Sequence, residues 1–590
     1  MPSKLKQNLP AIILFIFFAS LYIYTAAPGV YDGDSGELAA AVNTLGLAHP
    51  TGFPLYMLSG KLFTLLVPIK DIAYRLNIFS SLLTATALAF FYYTLKNLGN
   101  SSFASLTASF ILGLGRNTIW ANSGRADVYA LSLLFVSVLF FIFSKWKSNP
   151  DTKHFYLYGF LWGLSLGTHA LMLIMGIPFL FMLWQARPFL KSHISVLIKT
   201  AIITILPGVQ YFYLLFAYKR NGIVNWGSMA SFHDLINYIT QRDYTFKMFA
   251  YSSSYLGGYF SKLFSLLLGE FGILIIISLC GLIYVFKKDR SLFAIFGLVT
   301  MANAFMMLSY GQTSELLILY HYVFLIDLIL AITFAFGFDL LIKSIEKNRR
   351  FVTIFGVFMV LAVSYQAVHS FNYNNRRHNY IFEDFARNAL IGVDHGSIVF
   401  IGDDPVVGPL WYLQTLGERK DVTVISLGLL KFDWYIRNLM KKYPWLMDQA
   451  VLEQGLDATR LEVIILHNIN RRKIYTSVPN WDDYAKSNFY FVPVGTLYAI
   501  LLRGSDNDFI GLTQLNRSIW DQYELRNTEL NDHPDFMVNI LIRRYSLALA
   551  DAGVASAAVG LVDNAIYFTN KSIDMAPSDQ AKQKIKALKK

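Results

Sequence analysis

The chain has 590 residues and a formal net charge of +12, and 55% of its residues are hydrophobic, 16% aromatic and only 15% charged. Soluble domains carry about 25% charged residues, and one core could not bury this much apolar surface. The composition therefore excludes a soluble enzyme, a coiled coil and a disordered protein.

The net positive charge of the chain arises entirely from its first part. Residues 376–590 contain 25 Lys+Arg and 25 Asp+Glu, whereas residues 1–375 contain 26 and 14. The first part also carries repeated apolar segments of bilayer-spanning length. Basic residues that follow such segments mark membrane topology, so we predict a membrane protein with no nucleic acid partner.

Eleven membrane spans are predicted, and segment 254–268 is predicted to lie at the membrane interface. The spans are 9–27, 76–95, 101–119, 127–144, 155–168, 170–186, 196–217, 271–286, 291–309, 316–341 and 351–371. With this count, all basic clusters fall on one side, which the positive-inside rule identifies as the cytoplasm. The N-terminus is then cytoplasmic, and the part after the last span is extracytoplasmic. Residues 9–27 are interpreted as an anchor rather than a signal peptide, because ten further spans follow.

Three regions follow from this pattern: a transmembrane domain (1–375), an extracytoplasmic α/β domain (376–533) and a helical segment (534–590). Strands are predicted at 396–404, 421–427, 460–467 and 490–502. Asp403 and Asp404 end the first strand, which is a ligand-site position in open α/β sheets, but no glycine-rich nucleotide motif accompanies them. The last segment resembles one tetratricopeptide unit, with small residues where two helices cross.

The first extracytoplasmic loop contains three acids, Asp32, Asp34 and Glu37, and no Lys or Arg occurs between Lys6 and Lys61. A helix over residues 35–48, capped by Ser35, would bring Asp34 and Glu37 about one turn apart. Repulsion between clustered carboxylates raises the pKa of at least one of them. A carboxylate with a raised pKa is better suited to act as a general base. His49 adds an imidazole. The alternatives are an ordinary solvated loop or, more weakly, a metal site built from the three acids and His49; no metal is predicted.

Other polar residues lie at the ends of apolar segments. Arg125 is predicted to receive a phosphate, with an ion pair to Asp127 as the alternative. His169 interrupts two apolar runs, where an ionisable group usually has a role, and a structural histidine is the alternative. Tyr320-His321-Tyr322, after Glu315, adds an imidazole on the same side. The loop 219–253 adds Arg220, Arg242 and Lys247 amid aromatic residues. It is predicted to be interfacial, with acceptance of an anionic lipid as the alternative.

Several motifs together resemble the protein O-mannosyltransferase family typified by transmembrane protein 260. They cover about residues 30–175: Asp34-Ser-Gly-Glu37, Leu45-Gly-Leu-Ala-His-Pro-Thr-Gly-Phe-Pro-Leu55, Arg75-Leu-Asn77, Asp127-Val-Tyr129 and Gly163-Leu-Ser-Leu-Gly-Thr-His169. Thr51 replaces the family's second proline, and Asp127 replaces a glutamate.

The resemblance implies a GT-C fold and transfer of a sugar from a polyprenyl-phosphate carrier to a protein or glycan hydroxyl. It implies that Asp34 and Glu37 are the catalytic pair. Asp32, His49, Arg125, Asp127, Tyr129 and His169 are predicted to bind substrate. No cofactor is predicted beyond the lipid-linked donor. The alternative is a transporter or lipid flippase with an acidic site on its outer face, although the acids cluster at one face and no internal repeat is found.

Overall fold

The computed structural model describes residues 2–249, 253–309, 316, 318–448, 459–528, 535–575 and 578–588. Within these residues the chain forms a helical bundle followed by a mixed sheet and a group of C-terminal helices. The helices are α1 (Pro2–Thr25), α2 (Ser35–Thr44), α3 (Pro54–Leu66), α4 (Ile72–Asn97), α5 (Ser102–Gly113), α6 (Ile119–Ser123), α7 (Tyr129–Ser148), α8 (Thr152–Ser165), α9 (Gly176–Gln185), α10 (Arg187–Ser192), α11 (Ile194–Ile205), α12 (Phe212–Lys219), α13 (Phe232–Ile239), α14 (Ser253–Phe271), α15 (Ile275–Lys288), α16 (Arg290–Ser309), α17 (Phe324–Ile345), α18 (Arg349–Asn374), α19 (Ile381–Ile391), α20 (Asp404–Leu416), α21 (Asp433–Lys442), α22 (Arg460–Asn468), α23 (Asp483–Asn488), α24 (Phe509–Asp521), α25 (Phe536–Ala558), α26 (Val562–Asp574) and α27 (Asp579–Leu588).

Eight helical stretches of the described chain are long and apolar enough to cross a bilayer. They are Asn8–Thr25, Ile72–Asn97, Tyr129–Ser148, Ile194–Lys219, Tyr255–Lys288, Arg290–Ser309, Phe324–Ile345 and Arg349–Asn374. The chain is therefore a multi-pass membrane protein, as predicted. The predicted spans 101–119, 155–168 and 170–186 correspond to the shorter helical segments Ser102–Gly113, Thr152–Ser165 and Ala170–Gln185.

The segment predicted to be interfacial, 254–268, lies within the apolar stretch Tyr255–Lys288, and its interfacial position stays a prediction. This stretch has 34 residues, or about 50 Å at the rise of an α-helix, and is longer than the roughly 30 Å hydrocarbon core. Gly272 interrupts it with a left-handed backbone (φ +51°), which only glycine adopts without strain. The predicted boundary between segment 254–268 and the span 271–286 lies beside this interruption.

The bundle has two chemically different ends. At one end, which we call the basic end, the last turns of α4, α7 and α15 carry lysines. Lys147 of α7 pairs there with Asp289 at 2.8 Å, next to the start of α16. At the other end, which we call the loop end, the chain after α18 returns to α1, since the Arg376 amide donates to the Thr25 carbonyl at 2.9 Å.

A five-stranded sheet follows the bundle, with strand order β2-β1-β3-β5-β4. The strands are β1 (Ile398–Ile401), β2 (Thr423–Ser426), β3 (Ile474–Thr476), β4 (Phe489–Val494) and β5 (Leu497–Leu502). β1 is parallel to both β2 and β3, while β5 is antiparallel to β3 and β4. The predicted βαβ unit is therefore present, with α20 as its crossover helix.

Two strand predictions need correction. Residues 460–467 form helix α22 instead of a strand, because Thr459 and Glu462 make a reciprocal capping box that starts a helix. Residues 490–502 form the hairpin of β4 and β5 rather than one strand. Gly495 (φ +61°) makes the turn between them.

The C-terminal segment is helical, as predicted. α25 and α26 pack closely where Gly553 faces Thr569 and where the hydroxyls of Ser546 and Ser572 lie 3.0 Å apart. Small residues thus meet at the crossing, as they do in a tetratricopeptide unit. The likeness to that unit stays a prediction, as do the three domain boundaries.

The sheet region is joined to the loop end of the bundle through α2 and α20. A Cβ atom on Gly36 would lie 2.4 Å from the backbone nitrogen of Pro409, and one on Gly408 would lie 3.0 Å from the amide nitrogen of Glu37. The two helices therefore pack backbone against backbone. The contact couples the helix that carries Glu37 to the helix that leaves β1.

Candidate active site

The first loop leads from α1 into α2 through Gly33, whose backbone is left-handed (φ +56°). Asp34 is the N-cap of α2, and Glu37 lies in its first turn. Two carboxylates therefore lie at the start of a helix, as predicted. The prediction that Ser35 caps the helix is wrong, because Ser35 is already helical and its hydroxyl accepts a hydrogen bond from the Tyr31 amide at 3.2 Å. The helix ends at Thr44, since Leu45 turns left-handed.

Asp34, Glu37 and His49 form one cluster. The backbone amide of His49 donates to Glu37 Oε1 at 2.7 Å, and the imidazole Nδ1 lies 3.1 Å from the same oxygen. Nε2 of the same imidazole lies 3.9 Å from Oδ2 of Asp34. The side chain of Asp34 is 48% exposed, whereas that of Glu37 is 7% exposed. Asp34 is therefore the carboxylate that a substrate can reach, and Glu37 holds His49.

The charge of His49 is set by these two acids. Burial lowers the pKa of His49, but the carboxylates of Glu37 and Asp34 raise it by more, to about 9. The imidazole is thus a cation at neutral pH. Single ligand atoms of the three residues lie within 4.8 Å of one another, which is compact enough to surround a metal ion. A metal would have to displace the proton of His49.

Asp32 does not join this cluster, so the alternative of a metal site built from three acids and His49 needs correction. Its carboxylate is hydrogen-bonded to Arg125, whose other terminal nitrogen lies 2.8 Å from Oδ2 of Asp127. All three residues are buried, and Arg125 is 2% exposed. Burial raises the pKa of Asp32 to about 6, although Arg125 opposes the shift. The ion pair with Asp127, the alternative for Arg125, is present.

His321 completes the buried cluster and was not among the predicted site residues. Its ring nitrogens lie 2.9 and 2.7 Å from a terminal nitrogen of Arg125, and Nδ1 lies 2.7 Å from Oδ1 of Asn122. The signal was the polar Tyr320-His321-Tyr322 run beside an apolar segment. Glu315, the acid that precedes this run, lies outside the described residues.

Tyr129 and His169 form an aromatic wall beside both clusters. The Tyr129 ring stacks on His321 with centroids 4.9 Å apart and lies 5.3 Å from the ring of His169. Nδ1 of His169 accepts the Leu171 amide at 3.1 Å, so this histidine also caps the segment that follows it. His169 borders a small, mainly apolar pocket with Tyr322. Both predicted residues thus lie beside the buried cluster of Arg125 and His321.

The remaining motif residues hold the chain in place. The side-chain amide of Asn77 donates to the carbonyls of Ala27 and Gly29, each at 2.8 Å. The Leu55 amide donates to the Gly167 carbonyl at 3.0 Å, which ties the turn after His49 to the segment before His169. Motifs that are far apart in the sequence therefore meet at the loop end.

The described part of the loop 219–253 contacts the segment that carries His49. The Trp226 ring lies 5.8 Å from the His49 ring, and the Tyr238 hydroxyl donates to the Ala48 carbonyl. Arg220, one of the three basic residues noted in the sequence, is 3.3 Å from the Thr44 carbonyl. Asp403 pairs with Arg544 in the sheet region; the side chain of Asp404 lies outside the described part.

Comparisons with known proteins identify sequences that are similar to this chain. A sequence model described as the protein O-mannosyl-transferase TMEM260 N-terminal domain matches residues 34–192, and one described as TMEM260-associated domain 2 matches residues 382–446. The protein O-mannosyl-transferase tmem260 of Dictyostelium discoideum is 23% identical over 573 residues, which cover 86% of this chain and 68% of that protein. The Mus musculus protein O-mannosyl-transferase TMEM260 is 23% identical over 518 residues, covering 80% and 72% of the two chains.

The fold is shared with a solved bacterial enzyme. ArnT from Cupriavidus metallidurans, solved with undecaprenyl phosphate, aligns with a TM-score of 0.53 over 84% of this chain and 99% of its own, at 10% identity. The predicted GT-C fold is confirmed by this likeness. The predicted resemblance to the protein O-mannosyltransferase family and the predicted glycosyltransferase class are confirmed by the sequence matches.

Proposed function

We propose that the chain transfers a sugar, with mannose as the first candidate, from a polyprenyl-phosphate carrier to a hydroxyl group of a protein or glycan. The observation that carries the proposal is Asp34, a half-exposed carboxylate at the start of α2, beside the buried pair of Glu37 and His49. The similar protein O-mannosyl-transferases suggest mannose as the sugar, and the ligand of the ArnT structure suggests the carrier.

In the proposed reaction Asp34 is the general base. Its carboxylate takes the proton of the acceptor hydroxyl, and the acceptor oxygen bonds to the anomeric carbon of the sugar. The bond between that carbon and the carrier phosphate breaks, and the electron pair leaves with the phosphate. Direct displacement inverts the anomeric carbon. A positioned general base typically contributes about 10²- to 10⁴-fold in rate.

The other predicted residues act around this step. Glu37 fixes His49 through two contacts, and the cationic imidazole stays beside the base. Arg125 already has two carboxylate partners and is buried, so we assign it to holding the first loop in place. The leaving phosphate then needs another cation, and the basic residues of the loop 219–253 supply candidates. Tyr129 and His169 provide a wall for the sugar or the first isoprene unit.

The direct test is transfer by the purified protein in detergent, with labelled polyprenyl-phosphate mannose and a peptide rich in serine and threonine. We expect Asp34→Asn to reduce transfer at least 100-fold without changing the yield of folded protein. Asp243→Asn, which removes an exposed acid of the loop 219–253, is the matched control. Full activity of both Asp34→Asn and Glu37→Gln would contradict the assignment of the active site. Uptake of the label by vesicles that contain the protein, without formation of product, would support a transporter instead.

We propose that the reaction needs no divalent metal. The proton on His49 and its contacts with Glu37 occupy donor atoms that a metal would use. Transfer should therefore persist after dialysis against EDTA at neutral pH. Loss of activity that Mn²⁺ or Mg²⁺ restores would instead identify Asp34, Glu37 and His49 as metal ligands.

A further inference from the structure

The sheet region has a cavity that the proposed transfer does not use. It has a volume of about 330 Å³ and lies between the carboxyl ends of β1 and β3 and the helix α25. Asp403 after β1, Ser477 after β3 and the arginines Arg543 and Arg544 of α25 line it. A volume of this order lies at the small end of ligand pockets, which span about 300–1,000 Å³.

The topology explains why a pocket forms here. β1 is the central parallel strand, with β2 on one side and β3 on the other. The chain therefore leaves β1 towards one side and later returns to its other side, so the strand order reverses between β1 and β3. Crevices at the carboxyl ends of strands at such a reversal are the usual ligand sites of open α/β sheets. The N-terminus of α20 lies at the same end of the sheet.

The charge of the lining favours an anion. Arg544 pairs with Asp403, which neutralises that carboxylate. Arg543 is exposed, and among the described residues its guanidinium has no hydrogen bond or ion pair. The cavity therefore carries one uncompensated positive charge. An arginine fork matches phosphate and carboxylate groups.

A buried hydroxyl also lacks a partner at this cavity. Thr496 is 8% exposed, and its Oγ1 has no hydrogen-bond partner in the described part of the chain. A buried polar atom without a partner costs free energy, and a ligand with hydroxyl groups would satisfy it. Ser477 supplies a second hydroxyl, although it already accepts from the Gly402 amide at 2.9 Å.

We propose that this cavity binds a small phosphate-bearing ligand of monosaccharide size, with its phosphate against Arg543 and a hydroxyl near Thr496. The site is separate from the cluster of Asp34, Glu37 and His49. The helix α20 begins at the cavity and packs on α2 at Gly408.

The test is equilibrium dialysis of the full-length protein in detergent with radiolabelled mannose 1-phosphate. We expect saturable binding of one molecule per chain, competition by inorganic phosphate and little competition by mannose. Arg543→Gln should weaken binding about tenfold or more, as loss of a charged hydrogen bond does. Thr496→Val keeps the shape of the side chain and should weaken binding several-fold. Arg544 is not replaced, because its removal would leave Asp403 unpaired.

Two controls locate the binding. Arg437→Gln removes an exposed arginine of α21 and should leave the affinity unchanged. Asp34→Asn should also leave it unchanged, because the cavity does not include the transfer site. Absence of saturable binding, equal binding by Arg543→Gln, equal competition by mannose, or loss of binding in Asp34→Asn would each overturn the proposal.

Discussion

His49 is joined twice to Glu37, once through its backbone amide and once through its imidazole, and both contacts reach the same carboxylate oxygen. The residues are twelve positions apart, so the contacts close the chain that runs from α2 to the turn before α3. The pair fixes both the position and the charge of the imidazole. A pH-dependent contribution to stability follows.

The pKa of His49 is raised from 6.5 to about 9. Its contribution to stability is therefore fully present below about pH 6.5 and is lost as the pH rises through 9. A shift of this size corresponds to about 3 kcal/mol. We expect the thermal midpoint of the purified protein to fall between pH 6.5 and 9, and to fall less in His49→Gln. His233→Gln, which removes an exposed imidazole of α13, is the control. An unchanged pH profile in His49→Gln would contradict the assignment.

The composition and the apolar segments were sufficient to predict the membrane bundle, because span length and hydrophobicity are local properties. The pair Asp34 and Glu37 was also predictable, since their spacing is one helical turn. The separation of Asp32 from that pair could not be predicted from the sequence. Asp32 binds Arg125, 93 residues away, and no local pattern indicates such a partner.

Two further differences between the predicted and the observed secondary structure have local causes. Residues 460–467 combine aliphatic and β-branched residues, which suit a strand or a buried helix. The signal that decides between them, Thr459 three residues before Glu462, was present in the sequence. Helix α3, in contrast, lies between the predicted spans 9–27 and 76–95, where only a loop and one helix over 35–48 were predicted. Several of its leucines are exposed, so its sequence lacks the pattern of a helix with one buried face.

The buried cluster around Arg125 should respond to the loss of one carboxylate. Asp32→Ala leaves the buried guanidinium with fewer partners, and breaking a buried pair costs about 3–5 kcal/mol. Asp32→Asn keeps a hydrogen-bond acceptor of the same shape and should cost less. Thermal unfolding in detergent measures both, with the exposed Asp243→Ala as control. Equal midpoints for Asp32→Ala and the unaltered protein would show that the pair does not support the fold.

The contact between Gly36 and Gly408 predicts a link between the sheet region and transfer. A methyl group at position 36 would lie 2.4 Å from the backbone nitrogen of Pro409, and backbone cannot yield as a side chain can. We expect Gly36→Ala to cost about 1–3 kcal/mol and to reduce transfer by displacing Glu37. Gly297→Ala, where no atom lies within 4 Å of the new methyl group, is the matched control. Full activity of Gly36→Ala would mean that α2 and α20 are free to separate.

The proposed orientation can be tested with cysteine labelling, because the chain has one cysteine, Cys280. In a Cys280→Ser background, Asp243→Cys introduces a thiol in the loop 219–253, and Lys347→Cys introduces one between α17 and α18. The basic end is expected to face the cytoplasm. A membrane-impermeant maleimide should then label intact cells only at position 243, and position 347 only after permeabilisation. The opposite labelling pattern would place Asp34 and the sheet region on the cytoplasmic side and would rule out an extracytoplasmic acceptor.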